Sequence, residues 1–291
     1  MTAAACRLVM GCASIGLPYG LPVSGRPPAL MSEAAAIALV RAAKQEGITT
    51  FDTAPAYGCS EERLGRALEG AATVWTKCAA DGVFTVEAIS GSIGRSCARL
   101  RRPRLDVVQI HNWSPAAEDA GLAEVRRALA GDPRIGAWGC STYGVDNALA
   151  AVRSGLFTQV QVEWNLLNQA VVEAIASEAR QRQVRIAVRS VLLQGVLSAT
   201  PLPAHLAGLA VARQRVELVA AEAGVDVATL AISAAYHHPG IDLVLIGLNE
   251  PGQLRQALAG AATNLPLPVR GRLPTLHCGE ALTDPRTWKA S

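Results

Sequence analysis

Residues 47–67 read GITTFDTAPAYGCSEERLGRA. Ile48-Thr49-Thr50-Phe51 is a run of β-branched and aromatic residues with the composition of a buried strand. Asp52 stands where that strand should end, Ala54-Pro55-Ala56 interrupts regular structure, and Tyr57-Gly58 follows. Ser60, Glu61 and Glu62 have the pattern of a helix N-cap with an acidic first turn, leading into Arg63-Leu64-Gly65. The order is strand, ionisable loop, helix. In α/β proteins the loops leaving the carboxyl ends of parallel strands are where sites are built. Taken alone, Asp52 reads as a helix cap and Tyr57 as a gap-filler. Two later strands that end in the same way change that reading.

Short apolar runs recur along the chain at residues 7–10, 74–76, 105–110, 135–139, 157–162, 184–188 and 243–246. The run at 74–76 ends at Lys77-Cys78 and the run at 105–110 at His111-Asn112. Longer amphipathic segments separate them. A helix is expected from Ser32 to near Gly47 with Ile37, Val40 and Ala43 inward, and another from Thr85 to Arg101 with Ile89, Ile93 and Leu100 inward. Others are expected over 115–130, 146–153, 171–182, 211–223, 226–237 and 251–261, with Ser60 opening the helix of the first stretch. Eight β–α units without a linker between them predict one domain over residues 1–291, closed as a single (β/α)8 barrel. An open doubly wound sheet fits less well, because no GxGxxG follows the first strand. Residues 262–291 carry further prolines and are expected to form an irregular C-terminal tail.

Composition narrows the class. Half of the 291 residues are hydrophobic and only 4% are aromatic, which suits helices and strands packed through small side chains rather than a disordered chain. The net charge of +3 is dispersed, so no basic block argues for nucleic acid or a membrane surface. No window approaches the ~20 apolar residues of a membrane span, and the N-terminus lacks the order of a signal peptide. Seven cysteines without a CxxC pair point to reduced thiols in the cytoplasm, and no Cys/His cluster has the spacing of a metal site.

On a barrel, Asp52, Lys77 and His111 all reach one rim, with Tyr57 just after the first. Buried Asp and Lys are costly singly and much less so as a pair. An ammonium beside a phenol favours proton release to a carbonyl oxygen, and a histidine at the next strand end can orient that carbonyl. These residues resemble the aldo-keto reductase superfamily: FDTAPAYGCSEERLGRAL matches its Asp-x-Ala-x-x-Tyr-Gly signature, TVWTK its lysine strand and DVVQIHNW its histidine strand. The resemblance extends from Val9 to about Ala261. It implies reduction of an aldehyde or ketone by hydride transfer from NADP(H), with NAD(H) also open, and without metal. It makes Tyr57 the proton donor, Lys77 its tuning cation, Asp52 the partner of Lys77, and His111 the group that orients the substrate.

The same resemblance implies a cofactor site from Gly11, Ser141, Thr142, Gln161, Arg189, Ser190, Gly247, Asn249, Gln253 and Gln256. Thr142 stands where the family usually has Asn. Arg189 stands where many members have an aromatic that stacks on the nicotinamide; it either stacks in its place or pairs with a carboxylate. Arg255 is the one basic residue in the segment where a 2′-phosphate would be read, which weakens the expected preference for NADP. Tyr19 and Trp113 are candidates for the substrate pocket wall, with ordinary packing as the alternative. Alcohol oxidation in the reverse direction, a nicotinamide-binding regulator and a Schiff-base enzyme using Lys77 are the competing functions. Cys12, Cys59, Cys78 and Cys140 lie near the strand ends, where buried structural thiols outweigh thiol chemistry. His237 and His238 precede Pro239 at a helix end, a capping position, and Trp288 is placed to anchor the tail.

Overall fold

The structure, a computed structural model, describes residues 6–21, 28–78, 82–119, 121–198 and 201–288. Eight parallel strands follow one another around a closed barrel in chain order. They are β1 (Leu8–Gly11), β2 (Thr50–Asp52), β3 (Thr73–Cys78), β4 (Val107–Ile110), β5 (Trp138–Ser141), β6 (Gln159–Glu163), β7 (Arg185–Arg189) and β8 (Leu243–Gly247). Closure comes from β8 pairing with β1, where Gly11 lies opposite Gly247. Between the strands run helices including Glu33–Gln45, Ser60–Ala67, Val86–Leu100, Val145–Arg153, Ala170–Gln181 and Val227–Tyr236. This is the (β/α)8 barrel that the repeating pattern predicts.

Alternation along each short strand divides the core in two. Val9, Trp75, Val107, Ala187 and Leu245 fill the inside of the barrel. Met10, Phe51, Val74, Val108 and Val160 point the other way, into the layer shared with helix residues such as Leu39, Ile93 and Ile175. Gly139 belongs to the inner set. A Cβ there would come within 3.2 Å of the Val107 side chain and 3.3 Å of Gln109, so the glycine leaves room for Gln109.

Most strands lie one to three residues later in the chain than their apolar runs suggest. Asp52, Lys77, Ser141 and Arg189 are strand residues, not loop residues. Ladder hydrogen bonds are made by the backbone and tolerate a polar side chain wherever that side chain finds a partner across the barrel. Other local expectations also shift. Ser60 begins its helix without capping it; its hydroxyl bonds the Cys12 carbonyl at 2.7 Å and Thr53 Oγ1 at 2.8 Å. Glu61 is buried rather than a solvated first-turn acid, and it takes Thr76 Oγ1 and Arg99 Nε, each at 2.6 Å.

In the first helix the buried face is Ala36, Leu39, Val40 and Ala43, with Ile37 only half-buried. The expected helix over 115–130 is two short ones, Ala116–Asp119 and Leu122–Ala128, on either side of residue 120, which lies outside the described residues. The tail is more regular than its prolines suggest. It forms the helices Leu267–Arg272 and Glu280–Thr283 with 3-10 turns at Leu273–Leu276 and Pro285–Thr287. Among the described residues, no single helix is long and apolar enough to cross a membrane.

Candidate active site

At the carboxyl ends of the strands lies a cavity of about 580 Å³. Asp52, Tyr57 and His111 line it, together with Gly11, Ser141, Gln161, Arg189, Ser190 and Gly247. Lys77 lies beneath, 1% exposed, with its Nζ 2.6 Å from Asp52 Oδ2 and 3.0 Å from the Thr53 carbonyl oxygen. The other carboxylate oxygen, Asp52 Oδ1, accepts from Gln109 Nε2 at 2.8 Å and Gln161 Nε2 at 2.9 Å. Both oxygens of a buried carboxylate are thereby satisfied, as burial of the charge requires.

The ladder explains this convergence. Lys77 pairs in register with Gln109 on β4, and Ser141 with Gln161 on β6, so inward side chains at one height meet over the barrel axis. Burial alone would pull Lys77 down, but the Asp52 carboxylate and the Tyr57 phenol outweigh it and its pKa is raised. It is held as a cation. Its Nζ lies 4.9 Å from the centre of the Tyr57 ring.

Tyr57 sits on a tight loop that packs backbone to backbone against the loop after β1. A Cβ on Gly16 would fall 1.9 Å from the Tyr57 carbonyl oxygen, and the Gly16 carbonyl accepts from Cys59 N. His111 follows β4, its N–H bonded to the Cys78 carbonyl, and its ring meets that of Tyr57 edge-on at 6.1 Å between centroids. Burial, and then the Lys77 charge, lower the His111 pKa from 6.5 to about 4. The imidazole is neutral at physiological pH and offers a hydrogen bond without a charge.

Below pH 6.5 the unfolded chain takes up a proton that folded His111 refuses until about pH 4. The contribution to stability is therefore complete above 6.5 and is lost as pH falls through that window. Thermal melts of His111→Asn across pH 4 to 7 should show a shallower loss on the acid side than the wild type. An identical slope in the two proteins would refute the assignment.

Several implied cofactor positions have partners within the protein. Thr142 is fully buried, and its hydroxyl bonds the Trp113 carbonyl at 2.7 Å, so that hydroxyl does not face the cavity. Asn249, Gln253 and Gln256 lie outside the cavity lining. Gln253 Oε1 accepts from the Asn249 N–H at 2.7 Å, and Gln256 Nε2 ties its helix to Asp226 at 3.0 Å. Arg189 has a carboxylate nearby, Glu163 Oε2 at 3.7 Å, and donates Nη2 to the Thr142 carbonyl at 2.8 Å.

Tyr19 lines the cavity. Trp113 does not: it is 2% exposed and packs edge-on against Phe157, because its backbone N–H is bound to the Ser141 carbonyl and its side chain turns into the helix layer. The thiols of Cys12, Cys78 and Cys140 are buried and pushed up by burial, Cys78 to about 12, which leaves them unreactive. His237 Nδ1 lies 3.1 Å from the Ser233 carbonyl, as expected at a helix end. Among the described residues, no group of three or more His, Cys, Asp or Glu is placed to hold a metal ion.

Sequence reasoning passed over several residues in and beneath the cavity. Gln109 was legible in principle, since it alternates with Val107 on an inward face two residues before His111. Asn112 and Gln194 line the cavity beside the expected Ser190, and all three are non-glycine residues at positive φ (53°, 55° and 64°). Strained backbone of this kind collects at functional sites. Tyr143, Pro285 and Arg286 complete the wall; no sequence signal joins a β5 loop to the tail.

Fold and cavity together describe a barrel with an ion-paired lysine, a tyrosine and a neutral histidine at one rim. The Aldo/keto reductase family model matches residues 7–268. The chain belongs to that family. Aldo-keto reductase YhdN of Bacillus subtilis is 26% identical over 255 residues, which cover 76% of this chain and 77% of that protein. An uncharacterized oxidoreductase of Mycobacterium tuberculosis is 31% identical over 168 residues, about half of each chain. The fold is shared with the aldo-keto reductase AKR11C1 from Bacillus halodurans in its holo form (TM-score 0.76, 20% identity, 94% of this chain and 92% of that one). It is also shared with the glycerol dehydrogenase AKR11B4 from Gluconobacter oxydans (TM-score 0.74, 21% identity, 95% and 92%). Carbonyl reduction in general is the chemistry of this family.

Proposed function

We infer that this chain reduces an aldehyde or ketone to an alcohol using a reduced nicotinamide dinucleotide, with Tyr57 as proton donor. The observation that carries the reading is the buried Lys77–Asp52 pair set beneath Tyr57, with neutral His111 beside it. Two cavity-facing groups suit the cofactor's carboxamide. Among the described residues the Ser141 hydroxyl makes no hydrogen bond, and Gln161 gives its Nε2 to Asp52 while its Oε1 has no donor. Gly247 opens onto empty space where a Cβ would meet nothing within 4 Å. When bound, the reduced nicotinamide supplies a hydride to the carbonyl carbon.

The protein's part is positional and electrostatic. Tyr57 Oη gives its proton to the carbonyl oxygen as negative charge develops there. The ammonium of Lys77 stabilises the phenolate left behind, and Asp52 keeps that ammonium in place and charged. Neutral His111 donates a hydrogen bond to the same oxygen and so aligns the carbonyl. Run in reverse, the arrangement oxidises an alcohol.

A Schiff-base role for Lys77 is disfavoured, because an amine held protonated against a carboxylate is no nucleophile. Seven free cysteines suit a reducing compartment such as the cytoplasm. Titration with NADPH and with NADH, followed by tryptophan fluorescence, tests the reading, since Trp75 lies inside the barrel two residues from Lys77. Binding of either with turnover of simple aldehydes is expected. Binding without turnover would favour a regulatory role, and no binding of either would overturn the proposal.

A further inference from the structure

The charges that the cavity presents are lopsided. Asp52 contributes no free negative charge, because Lys77, Gln109 and Gln161 occupy its oxygens. What remains is Arg189 from β7 and Arg286 from the tail. Both converge on Tyr143, with each guanidinium carbon 3.8 Å from the ring centre. The tail is tied down to bring Arg286 there: Cys278 N–H bonds the Leu167 carbonyl at 2.9 Å, Gln169 Nε2 the Leu273 carbonyl at 2.8 Å, and Trp288 Nε1 the Leu282 carbonyl at 3.2 Å.

The countercharges stand behind this wall, outside the cavity lining. Asp284 takes Nε and Nη2 of Arg286 at 2.9 and 2.7 Å and Glu280 lies 4.0 Å from Nη2, while Nη1 has no partner among the described residues. Glu163 lies 3.7 Å from Arg189 and makes no hydrogen bond to it; its Oε2 is buried without a donor, and burial raises its pKa. Arg189 spends Nη2 on the Thr142 carbonyl and makes a long contact from Nη1 to Ser190 Oγ, so its Nε has no partner among the described residues. Two guanidiniums thus line the cavity with unoccupied donors, each held against the Tyr143 ring.

Resting on the carbonyl-reductase reading, we propose that Arg189 and Arg286 form an anion subsite, and that the substrate is an aldehyde or ketone bearing a carboxylate or phosphate. Planar guanidiniums match such groups two oxygens at a time. Their stacking on Tyr143 orders them before the ligand arrives and lowers the cost of binding. The carboxylates behind hold the arginines in place without filling the subsite. A phosphate of the dinucleotide has the same chemistry as the substrate's anion, so the test separates the two sources.

The experiment compares ω-aldehydo acids of increasing length with alkanals of matching length, in the wild type and in Arg286→Leu. The wild type should favour the acid at its best length by on the order of ten- to a hundredfold in kcat/KM, the worth of a charge-assisted pair. In Arg286→Leu that ratio should fall towards one while the Kd for NADPH stays within about twofold. No preference in the wild type overturns the proposal, as does a ratio that survives the substitution. A large rise in the Kd for NADPH with the ratio intact assigns the guanidiniums to the cofactor's phosphate instead and also overturns it.

Because loss of Arg286 could release the tail, a second measurement needs no variant: butyrate, but not butyramide, should compete with the aldehyde in the wild type. Equal competition by the two overturns the subsite. If no aldehyde is reduced with either cofactor, the carbonyl-reductase reading fails by itself. Calorimetric titration of the cofactor-free protein with butyrate against butyramide then decides the subsite, and equal or absent binding counts against it.

Discussion

Tyr57→Phe should bind NADPH as the wild type does and reduce aldehydes roughly a hundred- to ten-thousandfold more slowly, the range attached to loss of a positioned general acid. The substitution removes one oxygen. The ring remains beside His111, 6.1 Å between centroids, and over Lys77 Nζ at 4.9 Å, so the cavity keeps its shape. Loss should therefore fall on kcat, with KM nearly unchanged, because the phenol acts as the carbonyl oxygen gains charge rather than in the ground state. Single-turnover kinetics with a deuterated cofactor would separate the chemical step from product release. Turnover equal to the wild type would assign the proton to another donor.

Lys77→Met should be costly in a different way. It leaves Asp52 buried at 3% exposure with two amide donors on Oδ1 and no cation on Oδ2. An unpaired buried charge of this kind costs about 3–5 kcal/mol, a large share of the stability of any domain. The double variant Asp52→Asn/Lys77→Met should recover much of that loss, since neither charge is then left alone, yet it should remain inactive because no cation stabilises the Tyr57 phenolate. Chemical denaturation of the two variants alongside the wild type checks the first point, and aldehyde reduction checks the second. Stability that does not recover in the double variant would mean that packing, not charge, governs the site.

The neutral state of His111 fits with these two results. If it carried a proton at neutral pH, two cations would crowd one carbonyl oxygen beside Lys77. Burial prevents this by lowering its pKa to about 4, and the site keeps one fixed cation and one neutral donor.

Much of the barrel was legible because its signals are local. Short apolar runs and amphipathic helices recur eight times, and each helix needs only its own face to be recognised, as Ile89, Ile93 and Leu100 show. Strand ends were misplaced where polar residues continue the ladder, at Lys77, Ser141 and Arg189, because hydropathy reports the side chain and the ladder is a property of the backbone. Ser60 and Glu61 look like cap and first-turn residues locally, yet both are drawn inward by partners far away in sequence, Cys12 and Arg99.

By itself the sequence determined the eight-unit repeat and the residues placed at the rim, since Asp52, Tyr57, Lys77 and His111 stand at or just beyond the ends of consecutive strands and a barrel brings those ends together. Tertiary structure alone decided which of their neighbours complete the cavity. Gln109 on Asp52, Thr142 turned away towards Trp113, and Arg286 carried from the tail onto Tyr143 all depend on contacts between distant segments. Such contacts are set by the closure of the barrel and the path of the tail across its rim, and a side chain's chemistry does not encode which distant partner that path will bring to it.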